Sequence, residues 1–156
     1  MQKKDCMVSV VIPNYNGMQY IERCLESLKR QSFQEFETIF VDNGSEDGSV
    51  AYVRERFPWV RLICLAENTG FCGAVNVGIR ESRGEYVVLL NNDTVPTRGW
   101  LTAMAKHLQN DSHLGMCGPV TNSIGNEAKV AVEYHDLDGL EQFAYRYTWA
   151  HNGQEM

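Results

Sequence analysis

Met7–Ile12 reads M-V-S-V-V-I and is closed by P-N-Y-N-G at Pro13–Gly17. A continuous β-branched run of this kind suits a strand buried on both faces, as strands of parallel sheets are. P-N-Y-N-G is turn chemistry. Beyond it Ile21, Leu25 and Leu28 recur at i, i+4 and i+7, with Glu22, Arg23, Glu26 and Lys29 on the other faces, which predicts an amphipathic helix. Working outward, Phe36–Val41 (F-E-T-I-F-V) predicts a second strand ended by D-N-G-S-E-D-G-S, and a helix follows over 49–57 until Pro58 stops it. Val60–Leu65 is a third strand and 70–82 a helix stopped at Arg83-Gly84. Glu85–Leu90 (E-Y-V-V-L-L) is the fourth strand and the most apolar. A helix over 99–109 comes next, then a short strand at 114–118, a strand at 129–133 and an amphipathic helix over 137–149. Alternation of strand and helix at βαβ spacing predicts an α/β fold: three layers, α/β/α, around a mostly parallel central sheet.

The composition supports that fold and excludes several functions. The chain has 156 residues, with 14 Lys and Arg against 20 Asp and Glu, a net charge of −6. That length accommodates one ordinary domain. With 44% hydrophobic residues the chain has enough apolar material for a core, so disorder is excluded. An acidic balance opposes nucleic acid as a partner, because phosphate contacts need a basic face. Cys6, Cys24, Cys64, Cys72 and Cys117 are odd in number and lack zinc-type spacing, as expected of reduced thiols in a cytoplasmic protein. Lys3 and Lys4 precede an apolar stretch, Cys6–Ile12, that is too short for a signal peptide. Nothing approaches the roughly 18 apolar residues of a transmembrane helix.

In open α/β sheets ligands bind beyond the carboxyl ends of the strands, where strand order reverses. The predicted strands all end in polar clusters: Pro13-Asn14-Tyr15-Asn16, Asp42-Asn43-Gly44-Ser45, Glu67-Asn68-Thr69-Gly70 and Asn91-Asn92-Asp93. Any one of them could be ordinary turn chemistry; together they describe a polar rim at one edge of the sheet. Asp42 follows its apolar strand directly, where a carboxylate accepts from a nucleobase N–H or a ribose hydroxyl, or closes an Asx turn or helix cap. No G-x-G-x-x-G follows the first strand and no G-x-x-x-x-G-K-[ST] occurs, which excludes a dinucleotide fold and a P-loop. Asp93, three residues past the fourth strand, is the candidate metal ligand, since Mg2+ or Mn2+ takes one or two carboxylates and fills its shell with water and phosphate oxygens. The alternative for Asp93 is a turn or cap before Pro96.

V-S-V-V-I-P-N-Y-N-G, F-V-D-N-G-S-E-D-G-S, E-N-T-G-F-C-G-A-V-N-V-G-I and G-E-Y-V-V-L-L-N-N-D-T occur in the order and spacing of family 2 glycosyltransferases, and the chain resembles that family, with its GT-A fold, from Val8 to Thr121. The resemblance implies that Pro13 and Tyr15 line the nucleotide base, that Asp42 contacts it, and that Gly70, Gly73 and Asn76 pack beneath the nucleotide, with Arg80 one turn beyond. It places Asn91, Asn92 and Asp93 at the D-x-D position, where the last acid holds the metal on the donor diphosphate. Asn91 stands where the broader pattern has Asp, as in branches that transfer rhamnose and related sugars, and the swap removes one charge.

The implied reaction moves a sugar, with inversion, from a nucleotide-diphosphate donor to an acceptor hydroxyl. Glycan or lipid-linked acceptors, polysaccharide biosynthesis for the cell envelope and peripheral membrane association of the full protein go with the resemblance. A general base is also required, and the resemblance puts it downstream of Met156. Asp111, Glu133, Asp136 and Asp138 sit outside the expected motif. The expected partition is therefore residues 1–121 as the nucleotide-sugar-binding GT-A core and 122–156 as the start of an incomplete acceptor-side region. Within that region Tyr134, Phe143, Tyr145, Tyr147 and Trp149 are an acceptor wall or an apolar face awaiting cover. Trp100 is expected to anchor its helix in the core or to lie near the donor, and His107, His113, His135 and His151 lack metal-ligand spacing. Two other classes compete: a nucleotidyltransferase, disfavoured because P-N-Y-N-G has no basic residue, and a nucleotide-binding interaction module without turnover.

Overall fold

A computed structural model describes residues 7–151. Cys6 and the two lysines before it lie outside the described residues. The elements are β1 (Val8–Asn14), α1 (Met18–Lys29), β2 (Phe36–Asp42), α2 (Ser49–Arg56), β3 (Arg61–Cys64), α3 (Gly70–Glu81), β4 (Tyr86–Leu89), α4 (Trp100–Asn110) and α5 (Leu137–Ala150). The four strands form one parallel sheet in the order β3-β2-β1-β4. From β1 the chain steps outward to β2 and β3, then crosses back to β4 on the other side of β1. Right-handed crossovers therefore put α1 and α2 on one face and α3 on the other, which makes the three layers.

Side-chain alternation divides the core accordingly. Val11, Ile39 and Val41 point to the α3 face and are fully buried with Ala74, with Ile63, Leu65 and Val77 packed around them. Approach on this face is close, because a Cβ on Gly78 would overlap the Val11 side chain. Val10, Ile12 and Phe40 point the opposite way and are equally buried, as are Ile21, Leu25 and Leu28 of α1 and Val53 of α2. The helical stripe read from the sequence is thus the buried stripe of α1.

The described residues divide into two compact units, one ending at Pro96 and one beginning at Thr97. After β4 the chain contributes no further strand to the sheet among the described residues. In the second unit α4 buries Leu101 and Ala105, whereas Trp100 is only half-buried, so Leu101 is the anchor of that helix. No strand forms over 114–118, where Gly115, Gly118 and Pro119 weaken any extended pairing. The strand expected at 129–133 reduces to one bridge, Thr121 with Lys129, because no other strand runs beside it. Helix α5 forms as expected, and Asp136 caps it by accepting from the Gly139 N–H at 2.7 Å. It has no buried residue.

Val87 and Leu89 are 40% and 51% exposed, because α3 covers β1 and β2 on that face and β4 ends the strand order. Cys24, Cys64, Cys72 and Cys117 are free thiols, and among the described residues no helix is long and apolar enough to cross a membrane.

Candidate functional site

The order β3-β2-β1-β4 puts the reversal of strand order between β1 and β4. A crevice opens beyond the carboxyl ends of strands at such a point. Here an open cleft of about 410 Å³ lies at that place, formed by Pro13, Asn14 and Tyr15 after β1, Asn43 after β2, Asn68, Gly70 and Phe71 at the start of α3, and Asn91, Asn92 and Asp93 after β4. All four polar clusters read from the sequence contribute to it, and all of the contributing residues belong to the first unit.

The floor is a network of amides around one buried carboxylate. Asp42 is 2% exposed; its Oδ1 accepts from Asn14 Nδ2 at 3.0 Å and its Oδ2 from the Ser45 N–H at 2.9 Å. Hydrogen bonds to both of its oxygens are what make such burial tolerable. Asn14 Nδ2 also reaches Ser45 Oγ at 3.2 Å, and Asn14 Oδ1 accepts from Asn92 Nδ2 at 2.6 Å. That last bond joins the loops after β1 and β4 across the switch point. It runs over Gly17, where a Cβ would overlap both amides, so only glycine fits at the start of α1. A second network holds the other side: Asn43 Nδ2 donates to Asn68 Oδ1 at 2.8 Å, and Asn43 Oδ1 accepts from the Thr69 N–H at 2.9 Å. Gly44 lets the chain turn between the two, with φ of 78° and the Glu67 backbone too close for a side chain.

Of the residues singled out in the sequence, Pro13, Tyr15, Gly70, Asn91, Asn92 and Asp93 line the cleft. Asp42 lies beneath it, and Asn76 is exposed on α3 away from the lining. The sequence names Asn14, Asn43 and Asn68 only as members of the polar clusters, with no role of their own, and does not single out Phe71. A signal for Asn14 and Asn43 existed, since each stands where a buried strand ends and a buried amide there must be hydrogen-bonded. For Phe71 there was none.

Asp93 is exposed and is the only carboxylate among the lining residues. Its charge is felt below: burial, together with Asp93, pushes the Cys24 thiol up to about 12. Cys24 Sγ lies 3.8 Å from the Asn91 carbonyl, under the turn. Among the described residues no three His, Cys, Asp or Glu side chains gather into a cage. One carboxylate flanked by amide oxygens is nevertheless a fitting donor set for Mg2+ or Mn2+, which leaves most of its shell to water and phosphate. The amino end of α3 opens on the same cleft, with no acid in its first turn and no side-chain cap on Thr69, so its positive dipole end favours an anion there.

The second unit has its own hollow of about 450 Å³ lined by Ala131, Glu133, Phe143, Arg146 and Tyr147. Aromatic contacts run along it from Tyr134 to Phe143 at 5.8 Å, to Tyr147 at 5.7 Å and to His151 at 4.1 Å. Tyr145 and Trp149 point away, 75% and 78% exposed. Of the four downstream acids, Asp136 is a helix cap and Glu133 lines this hollow.

Comparison with known proteins identifies the family. The family model described as glycosyl transferase family 2 matches residues 9–153. The glycosyltransferase YibD of Escherichia coli K12, described as uncharacterized, is 36% identical over 70% of this chain and 33% of its own. Glycosyltransferase GlyG of Streptococcus pneumoniae is 30% identical over 66% of this chain and 35% of its own. The chain therefore spans about a third of the length of these relatives. Among solved structures, S. aureus TarS 1–349 in complex with UDP matches with a TM-score of 0.61 and 29% identity over 67% of this chain and 32% of that one. The mannosyltransferase PcManGT of Pyrobaculum calidifontis, in complex with GDP-Man and Mn2+, matches with a TM-score of 0.56 and 30% identity over 65% of this chain and 31% of that one. The sheet order and these matches lead to one conclusion: the chain has a GT-A-like α/β fold and belongs to glycosyl transferase family 2.

Proposed function

We propose that the cleft between β1 and β4 binds the nucleotide-diphosphate part of a sugar donor, and that the whole protein transfers the sugar with inversion to a glycan or lipid-linked hydroxyl. The observation that carries this reading is the convergence of Asp93, Asn91 and Asn92 with the amino end of α3 in one cleft whose other wall is Pro13 and Tyr15. Tyr15, 52% exposed, offers a ring face for a base beside the rigid Pro13. Asp42 keeps its place at the base end, and its burial favours an indirect role through Asn14 and Ser45 over direct contact. Gly70 admits the diphosphate close to the backbone, and Asn76 serves the nucleotide from the next turn of α3. Asp93, with the neighbouring amides, would hold Mg2+ or Mn2+. The bound ion supplies positive charge against that developing on the leaving diphosphate. The solved neighbours carry UDP and GDP-Man, which supports a nucleoside diphosphate and leaves two bases to compare.

A general base must take the acceptor proton, and it must differ from the metal ligand. No second carboxylate lines the cleft among the described residues. That observation favours a second reading for the chain as it stands, donor binding without sugar transfer. Calorimetry of the 156-residue chain with UDP, GDP, dTDP and CDP, with and without Mn2+, tests both. One diphosphate should bind, more tightly with Mn2+, and Asp93→Ala should abolish the Mn2+ dependence. No binding by any diphosphate would sink the donor-site reading, and sugar transfer by this chain alone would sink the second.

A further inference from the structure

Hydrogen-bonding polarity in the cleft floor has a single source. A carboxylate only accepts, so Asn14 must turn its NH2 toward Asp42. Both protons of that NH2 are committed, one to Asp42 Oδ1 and one to Ser45 Oγ, an oxygen that already accepts from the Asn16 N–H at 2.9 Å. Asn14 Oδ1 then faces the other loop and can only accept, which obliges Asn92 to turn its own NH2 inward at 2.6 Å. What Asn92 has left is one N–H and its Oδ1, and none of the described residues donates to that oxygen. Asn14 is 2% exposed and cannot exchange these partners for water.

We propose that Asp42 and Asn14 are positioning residues that set the orientation of the Asn92 amide, so that its Oδ1 is kept free for the ligand beside Asp93. The group that meets Asn92 Oδ1 is then a hydroxyl of the donor or the divalent cation. This inference rests on the donor-site reading for its ligand, whereas the amide polarity itself is a property of the free protein.

The test joins two measurements on the whole chain. In the 15N-labelled, ligand-free protein the side-chain NH2 of Asn92 should exchange slowly with solvent, and in Asp42→Asn, where the new amide can present either atom, that protection should fall. With Mn2+ and UDP as the probe, Asn92→Ala should weaken binding roughly three- to tenfold, the scale of one hydrogen bond. Asp42→Asn should weaken it by a similar factor, and the double variant should lose no more than either single one. Asp42 and Asn92 do not touch, so a merely structural role for Asp42 would give factors that multiply. Multiplying factors, or Asn92 protection unchanged in Asp42→Asn, would overturn the proposal. If Asp42→Asn does not fold, wild-type exchange decides: an Asn92 NH2 as labile as a free amide overturns it, and a protected one supports it. Failure of the wild type to bind Mn2+ and UDP with Asn92 protected would reject the donor-site reading and leave the polarity standing.

Discussion

At the scale of single residues, burial separates the roles of groups that look alike in the sequence. Asp42 and Asp93 each follow an apolar strand, yet one is enclosed by N–H donors and the other faces the cleft. Cysteines separate in the same way. Cys24 is buried and its thiol is held near pKa 12, so its thiolate is scarce at any working pH, while Cys64 and Cys72 are exposed. Alkylation of the native chain with iodoacetamide at about pH 8 should mark Cys72 and leave Cys24 unmodified until denaturant is added, as read by peptide mass mapping. Modification of Cys24 in the native protein would mean that the Asn91–Asp93 turn does not cover it.

At the scale of elements, two helices start from one side chain. Asp47 Oδ2 accepts from the N–H of Met18, the first residue of α1, at 2.8 Å, and Oδ1 accepts from the N–H of Ser49, the first of α2, at 3.0 Å. The Ser49 hydroxyl adds a further bond. Slight burial works to raise the Asp47 pKa, but these hydrogen bonds outweigh it and hold the carboxyl below its ordinary value of 3.8. A carboxylate depressed in the folded state stabilises above its unfolded pKa, and that contribution is lost as pH falls through the folded value. The loss should therefore lie below pH 3.8. Asp47→Ala should cost about 1–2 kcal/mol near neutral pH, the scale of a lost cap, with the difference from wild type closing under acid. Urea melts at pH 7 and pH 3 measure it, and a gap that stays constant with pH would rule out the ionised cap.

At the scale of the whole molecule, βαβ alternation was legible because each buried strand is a continuous apolar run and each helix has its own period. The strand-end rim was legible for the same reason, since polar clusters at one end of parallel strands share an edge. Order within the sheet was not, because nothing local in Tyr86–Leu89 says on which side of β1 it docks. That placement also decides that Val87 and Leu89 are half-exposed. Asn14 was hidden for a related reason: its partners lie 28 and 78 positions away, and no spacing rule in one sequence joins them.

That long reach sets an order of events. The bond between Asn14 and Asn92 closes a loop of 78 positions, whereas β1 finds β2 within one crossover. Closing long loops costs entropy that only later contacts repay, so non-local pairings are slow to form. Refolding should therefore restore helical signal first and Mn2+-dependent UDP binding only with the last phase, when β4 docks on β1. Stopped-flow circular dichroism beside a ligand-capture assay would see the two separate, and simultaneous recovery would argue that the sheet closes in one step. On the donor-site proposal, a nascent chain could thus acquire most of its helices and three of its strands while still unable to hold a donor, and nucleotide capture would report that the sheet is complete.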